Sequence, residues 1–203
     1  MVILERIRIF VNMDRHLYII SGCNGAGKTT ASYTVLPEIL KVKEFVNADE
    51  IARGLSPFNP DSMAIEAGRL MLKRIDELIL KGKSFAIETT LATRSYAKLV
   101  ERAHNLNYTV NLVYFWLNSP QLAKERVASR VRNGGHNIPA AVIERRYCLG
   151  ILNLLEIFLP IVDEWTIVDN SNMQQVVIAE QNKNGKAIIY DETLFSKIKQ
   201  YGK

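Results

Sequence analysis

An apolar strand that runs straight into Gly22-Cys23-Asn24-Gly25-Ala26-Gly27-Lys28-Thr29 constrains this chain more than any other feature. The octet satisfies G-x-x-x-x-G-K-[ST], and its context is the required one: a strand, His16–Ser21, before it and a helical stretch, Lys28 to about Leu36, after it. Glycines let the backbone curl until its N–H groups point inward at one anion. The helix that follows aims its positive end at the same point. Gly22, Cys23, Asn24, Gly25, Ala26, Gly27, Lys28, Thr29 and Thr30 are therefore expected to cradle the phosphates of ATP. Lys28 would bridge the β- and γ-phosphates, and the Thr29 hydroxyl would bind Mg²⁺. Cys23 reads as a small filler of the loop rather than a redox-sensitive thiol. Pro37 is expected to end or kink the first helix.

Further strands are expected at Glu44–Asn47, Ser84–Ile87, Thr109–Leu117 and Trp165–Val168, each a short run rich in β-branched or aromatic residues. Between them, Met63–Lys81 places Ala67, Leu70, Met71, Ile75, Leu78 and Ile79 at helical spacing and stops at Gly82. Ser95–Leu106 is a shorter helix. Ser119 and Pro120 open another that reaches Arg132, Gly134 and Gly135 end it, and Pro139 starts one that runs towards Phe158. Such alternation predicts an α/β fold in three layers around a five-stranded parallel sheet, and the octet makes it a P-loop NTPase fold. After Val168, Gln175–Ala179 and Lys186–Tyr190 read as a β-hairpin and Glu192–Tyr201 as a terminal helix.

With 203 residues, 48% hydrophobic and 23% charged, the chain suits one such domain, with a lid region at 119–147 and the hairpin and helix within 172–203. Residues 1–12 precede Met13 and read as an upstream extension. The net charge of +5 suits an anionic ligand, but no basic stripe with clustered aromatics argues for nucleic acid. Cys23 and Cys148 form no C-x-x-C pair, so a reducing, cytoplasmic setting is expected, with no membrane span.

Carboxylates follow two neighbouring strands. Asp49, in Asn47-Ala48-Asp49, stands where it would accept the proton of an acceptor hydroxyl; the alternative is a cap on the helix Glu50–Gly54. Arg53, one turn on, either touches the acceptor or is a surface cation. Glu88 ends the third strand in the arrangement that holds Mg²⁺, although its longer reach also suits the acceptor. Thr89 and Thr90 can donate to either ligand or start the next turn. Arg126, Arg130, Arg132, Arg145 and Arg146 crowd around a glycine turn at 133–139. Two helices joined there could fold over the phosphates and stabilise transition-state charge. The alternative is a solvated basic face. His136 either contacts substrate or fixes the turn.

These residues resemble the zeta-toxin family of P-loop kinases, in its small chromosomal branch. The likeness covers about Tyr18 to Ser171 and rests on the cradle, Asn47-Ala48-Asp49, Ile87-Glu88-Thr89-Thr90, and the run from Arg130 through Pro139 to Arg145-Arg146-Tyr147. It implies Lys28 on the phosphates, Asp49 as the base, Glu88 with Thr89 or Thr90 near the acceptor, and Arg130 and Arg146 on the phosphates. Asn170 and Ser171 would lie near the adenine. It further implies phosphoryl transfer to a hydroxyl of UDP-N-acetylglucosamine and restraint by a small helical antitoxin. The Gly134-Gly135-His136 segment departs from the plasmid-type members. That leaves open a kinase for another metabolite or antibiotic, or an ATPase switch without an acceptor.

Overall fold

A computed structural model describes residues 15–135, 137–183 and 185–201, with Val35 and Ile39 described in backbone only. The expectations for residues 1–12 and for His136 lie outside the described residues. In chain order the elements are β1 (Arg15–Gly22), α1 (Lys28–Thr34), β2 (Phe45–Val46), α2 (Ala48–Leu55), α3 (Ala64–Leu80), β3 (Phe85–Thr89), α4 (Tyr96–Asn105) and β4 (Tyr108–Trp116). There follow α5 (Pro120–Arg132), α6 (Ala140–Asn153), α7 (Leu159–Ile161), β5 (Glu164–Asp169), β6 (Val176–Gln181), β7 (Ile188–Ile189) and α8 (Glu192–Tyr201).

All nine residues of β4 are buried, as are seven of the eight in β1. Successive strand residues face opposite sides, so both faces of the sheet are covered. The sheet order is β2-β3-β1-β4-β5-β6-β7. The first five strands pair in parallel, while β6 and β7 pair antiparallel. The sheet therefore has seven strands and is mixed, not five and parallel with a separate hairpin. The reason is local: β5 would otherwise end the sheet with a row of unpaired backbone groups, and β6 satisfies them through a register shift between Ile167 and Val168. The hairpin strands accordingly sit at Val176–Gln181 and Ile188–Ile189 rather than at the expected bounds.

The first helix changes form before its proline. Helix α1 stops at Thr34 and widens into a π turn, Val35–Ile39, which houses Pro37. A π turn relieves the demand for the missing proline N–H and the clash of its ring. Helix α6 widens in the same way over Leu154–Phe158 before α7 and Pro160.

Because β1 lies between β3 and β4, the chain changes direction across the sheet there, and ligands in such sheets bind beyond the strand ends at that crevice. In register, Ile20 faces Glu88 and Ser21 faces Thr89, so β3 delivers its acidic end beside the start of the loop. The loop, β2 with α2, and the end of β3 thus converge. Among the described residues no helix is long and apolar enough to cross a membrane.

Candidate active site

Positive φ angles at Gly25 (81°) and Gly27 (83°) give the loop its curl. Space demands glycine there too. A Cβ on Gly25 would stand 2.9 Å from the Ala123 carbonyl oxygen, and one on Gly27 would stand 2.6 Å from Asn170 Nδ2. The loop is therefore wedged between α5 and the end of β5. Asn170 Nδ2 donates to the Ala26 carbonyl at 2.8 Å, and Arg126 donates to the Ser171 carbonyl at 2.9 Å. Asn170 and Ser171 line this side of the cradle, where the adenine is expected.

Lys28, at the start of α1, is buried, donates to the Cys23 carbonyl at 3.0 Å and lies 3.7 Å from Glu88 Oε1. The other carboxylate oxygen of Glu88 accepts from the Thr29 hydroxyl at 2.8 Å and from Asn47 Nδ2 at 2.9 Å. Thr29 and Glu88 thus bring together two hard oxygen donors beside a lysine at the anion-binding end of a helix, a donor set suited to magnesium next to phosphate. Cys23 is 2% exposed, and burial pushes its thiol up to about 11, with Lys28 pulling the other way. It fills space, as its place in the loop predicts.

Asp49 does not cap α2. Asn47 does, accepting from the Asp49 N–H at 2.8 Å and the Glu50 N–H at 3.4 Å, and the helix begins at Ala48 rather than Glu50. The Asp49 carboxylate stands in the second position of the helix and lines two cavities. The larger, of about 570 Å³, is lined by Lys28, Asp49, Glu88, Thr89, Thr90 and Arg146. Met71, Leu72, Tyr96 and Leu99 are its apolar lining, and Lys98, Arg102 and Asp76 add charged groups. The smaller, of about 450 Å³, is bounded by Thr29, Tyr33, Asp49, Arg53, Arg130, Ile138 and Arg146. Asp49 and Arg146 face both. Arg53 also pairs with Glu50 at 3.2 Å on the helix surface.

The helices of the expected lid pack against the loop. Helix α5 packs on Gly25, and α6 buries Ile143, Tyr147 and Ile151. Arg146 reaches from α6 to Asn24 of the loop at 3.3 Å. Of the five arginines, Arg130 and Arg146 line the cavities, Arg126 serves the end of β5, and Arg132 and Arg145 are exposed and line neither. Helical phase separates Arg130 from Arg132 and Arg146 from Arg145, since neighbours one or two apart point in different directions.

Some of the lining lay outside the sequence expectations. Thr93, Ser95, Tyr96 and Lys98 enter from α4 and its approach, and Tyr96 donates to Met71 Sδ at 3.7 Å. Their only signal was a position following the acidic strand end. Asn47 had a clearer one, since Asn-x-x-Glu ahead of an apolar run is a capping pattern. The Thr89-Thr90 turn is held by Leu91, buried with φ 56°, whose N–H donates to Thr89 Oγ1 at 3.1 Å and whose carbonyl accepts from Asn153 at 2.7 Å.

A mixed sheet with a five-stranded parallel part, this loop after β1, acids at two neighbouring strand ends and arginines beside them define a kinase-like P-loop NTPase fold. Residues 11–195 match the family profile described as Zeta toxin, and the chain belongs to that family. It is 28% identical over 142 residues to an uncharacterized protein of Haemophilus influenzae, covering 70% of this chain and 99% of that one. Among solved structures, a chain of the AvrRxo1-ORF1:-ORF2 complex with ATP superposes with a TM-score of 0.76 at 15% identity, over 91% of this chain. This chain spans 63% of that one. The PezAT chromosomal toxin-antitoxin system of Streptococcus pneumoniae gives 0.65 at 16% identity, over 98% of this chain and 89% of its counterpart.

Proposed function

We propose that this chain is a kinase that transfers the γ-phosphoryl group of ATP to a hydroxyl of a small acceptor, with UDP-N-acetylglucosamine the first acceptor to test. One observation carries the reading: the Asp49 carboxylate, released from capping by Asn47, faces the cavity that also holds Lys28 and Glu88. A carboxylate so placed can take the proton of an acceptor hydroxyl, while the loop amides and Lys28 hold the phosphates. Thr29 and Glu88 would hold magnesium, which when bound supplies positive charge to the phosphates. Arg130 and Arg146 would stabilise charge on the group in transit, and Arg146 also ties α6 to the loop through Asn24. Thr89 and Thr90 would orient the acceptor, while Arg53 borders the smaller cavity beside Asp49.

The acceptor enters the larger cavity on this reading. About 570 Å³ lies within the range of sites for drug-sized ligands, and its mix of an apolar wall with hydroxyls suits a hydroxylated ring compound. The family and the PezAT likeness support restraint by an antitoxin protein, and dependence on ATP would suit a cytoplasmic setting. Incubating the purified protein with ATP, magnesium and UDP-N-acetylglucosamine should yield a sugar nucleotide heavier by one phosphoryl group on mass spectrometry. ATP consumption with an unmodified sugar nucleotide, but with a new phosphorylated species from a metabolite extract, would reassign the acceptor. Steady phosphate release that no acceptor accelerates would favour an ATPase instead.

A further inference from the structure

Backbone pairing between β2 and β3 is only two rungs long, Phe45 with Ala86 and Val46 with Ile87. The next rung is made by a side chain. Asn47, 6% exposed, donates from Nδ2 to Glu88 Oε2 at 2.9 Å. Its Oδ1 is already committed to the N–H groups of Asp49 and Glu50, so the amide has one orientation available and its donor end must face Glu88. One buried amide thus touches the helix turn that presents Asp49 and the carboxylate that shares Thr29 and Lys28.

We propose that Asn47 is a positioning residue that fixes the distance between the proton-accepting Asp49 and the metal-side Glu88; the proposal rests on the kinase reading. Asp49 and Glu88 sit on different elements, and so short an edge strand as β2 leaves them loosely coupled without this bridge. The Nδ2 donor also holds Glu88 Oε2 against Thr29, which leaves Oε1 on the Lys28 side. Support of this kind around a metal ligand is worth about 10- to 100-fold in metal affinity or activity.

The two ends of the amide can be separated by substitution. Serine caps a helix as well as asparagine does, but cannot also donate across to Glu88. Asn47→Ser should therefore melt within a few degrees of the parent, whereas Asn47→Ala, which loses both contacts, should melt lower. With the acceptor saturating, Asn47→Ser should lower kcat about 10- to 100-fold with little change in KM for ATP. Asn47→Asp keeps the cap but turns a carboxylate on Glu88, and should fall further. A second readout is independent of turnover: the magnesium concentration at which ATP half-maximally protects against heat should rise in both variants. An Asn47→Ser protein with parental kcat and parental magnesium dependence would overturn the proposal. Asp49→Asn serves as the control. If it transfers phosphoryl groups like the parent, the assignment of the base falls, while the magnesium titration still decides the Asn47 bridge.

Discussion

The carbonyl of Thr90 lies against Gly150, so close that a methyl group at Gly150 would stand 2.6 Å from it. Helix α6 and the turn after β3 are thereby seated on each other, and Asn153 on the same helix holds the Leu91 carbonyl. Gly150→Ala should push the turn away from α6. Overpacking of this kind costs about 1–3 kcal/mol, which in a chain of this size lowers Tm by roughly 2–4 °C per kcal/mol. Because Thr89 and Thr90 line the larger cavity, KM for the acceptor should rise while ATP affinity is kept. Equal losses in both would argue against a role for this turn in acceptor binding.

Asp49 and Lys28 should fail in different ways. Asp49→Asn keeps size and polarity but removes the proton acceptor, and general-base contributions run to about 10²–10⁴-fold. We expect kcat to fall by that factor with ATP binding intact. Lys28→Ala instead removes the cation of the cradle and leaves the half-buried Glu88 without its ion-pair partner, so ATP binding itself should be lost. Calorimetric titration with ATP separates the two variants. Tight ATP binding by Lys28→Ala would refute the cradle.

Two glycines make a matched pair. Gly27 has φ 83° and faces Asn170, whereas Gly54 in α2 has a conformation open to any residue and nothing within 4 Å of its would-be Cβ. Gly27→Ala should abolish nucleotide binding, since both the loop's curl and its seat on Asn170 are disturbed. Gly54→Ala should raise stability by about 0.5–1 kcal/mol through helix propensity alone. Thermal melts with and without ATP read both effects.

The cradle and the parallel core were legible because they are local: an octet, its flanking strand and helix, and runs of buried residues each occupy a few adjacent positions. Helix α8, expected at Glu192–Tyr201, is found there for the same reason. What escaped depends on partners distant in sequence. Gln175–Ala179 reads as half of an isolated hairpin until β5 is seen to offer it an edge. Met71 reads as one of the apolar positions of a helix, and periodicity cannot distinguish a core wall from a cavity wall. Asn47 carries a visible local signal for its cap, yet its bond to Glu88, 41 residues away, appears only when β2 and β3 lie side by side.

Reagent access tests the loop's thiol. Cys148 is exposed, whereas Cys23 is buried with its ionisation pushed up to about 11. The thiolate is the reactive form, so at pH 8 Cys23 stays protonated and inert. Iodoacetamide should add one carbamidomethyl group rapidly, on the peptide that contains Cys148, and leave ATP binding unchanged. Equal rates at both sites on peptide mass spectrometry would contradict the packing described for the loop.

Glu164 provides a test of the opposite pole of the sheet. It faces Asn111 across the β4–β5 register and is buried, with Oε1 accepting from the Lys183 N–H at 3.1 Å. Among the described residues, Glu164 Oε2 and Asn111 Oδ1 have no hydrogen-bond partner. A buried carboxylate oxygen that no donor meets calls for a proton. Burial raises the Glu164 pKa, and Asp163 adds to the rise, while Lys183 opposes it. A carboxyl whose folded pKa exceeds its unfolded value gives its full stabilisation below the ordinary carboxylate range, and that stabilisation is lost as pH rises through the folded value. Glu164→Gln is neutral at every pH and brings an N–H donor to the same place. It should therefore melt above the parent at pH 7–8, by the 2–4 °C or so that about 1 kcal/mol provides. The gap should close as pH falls towards 4.5, the ordinary value for this side chain. A parent that melts as high as the glutamine variant at pH 8 would show that the buried carboxylate is satisfied in its charged form.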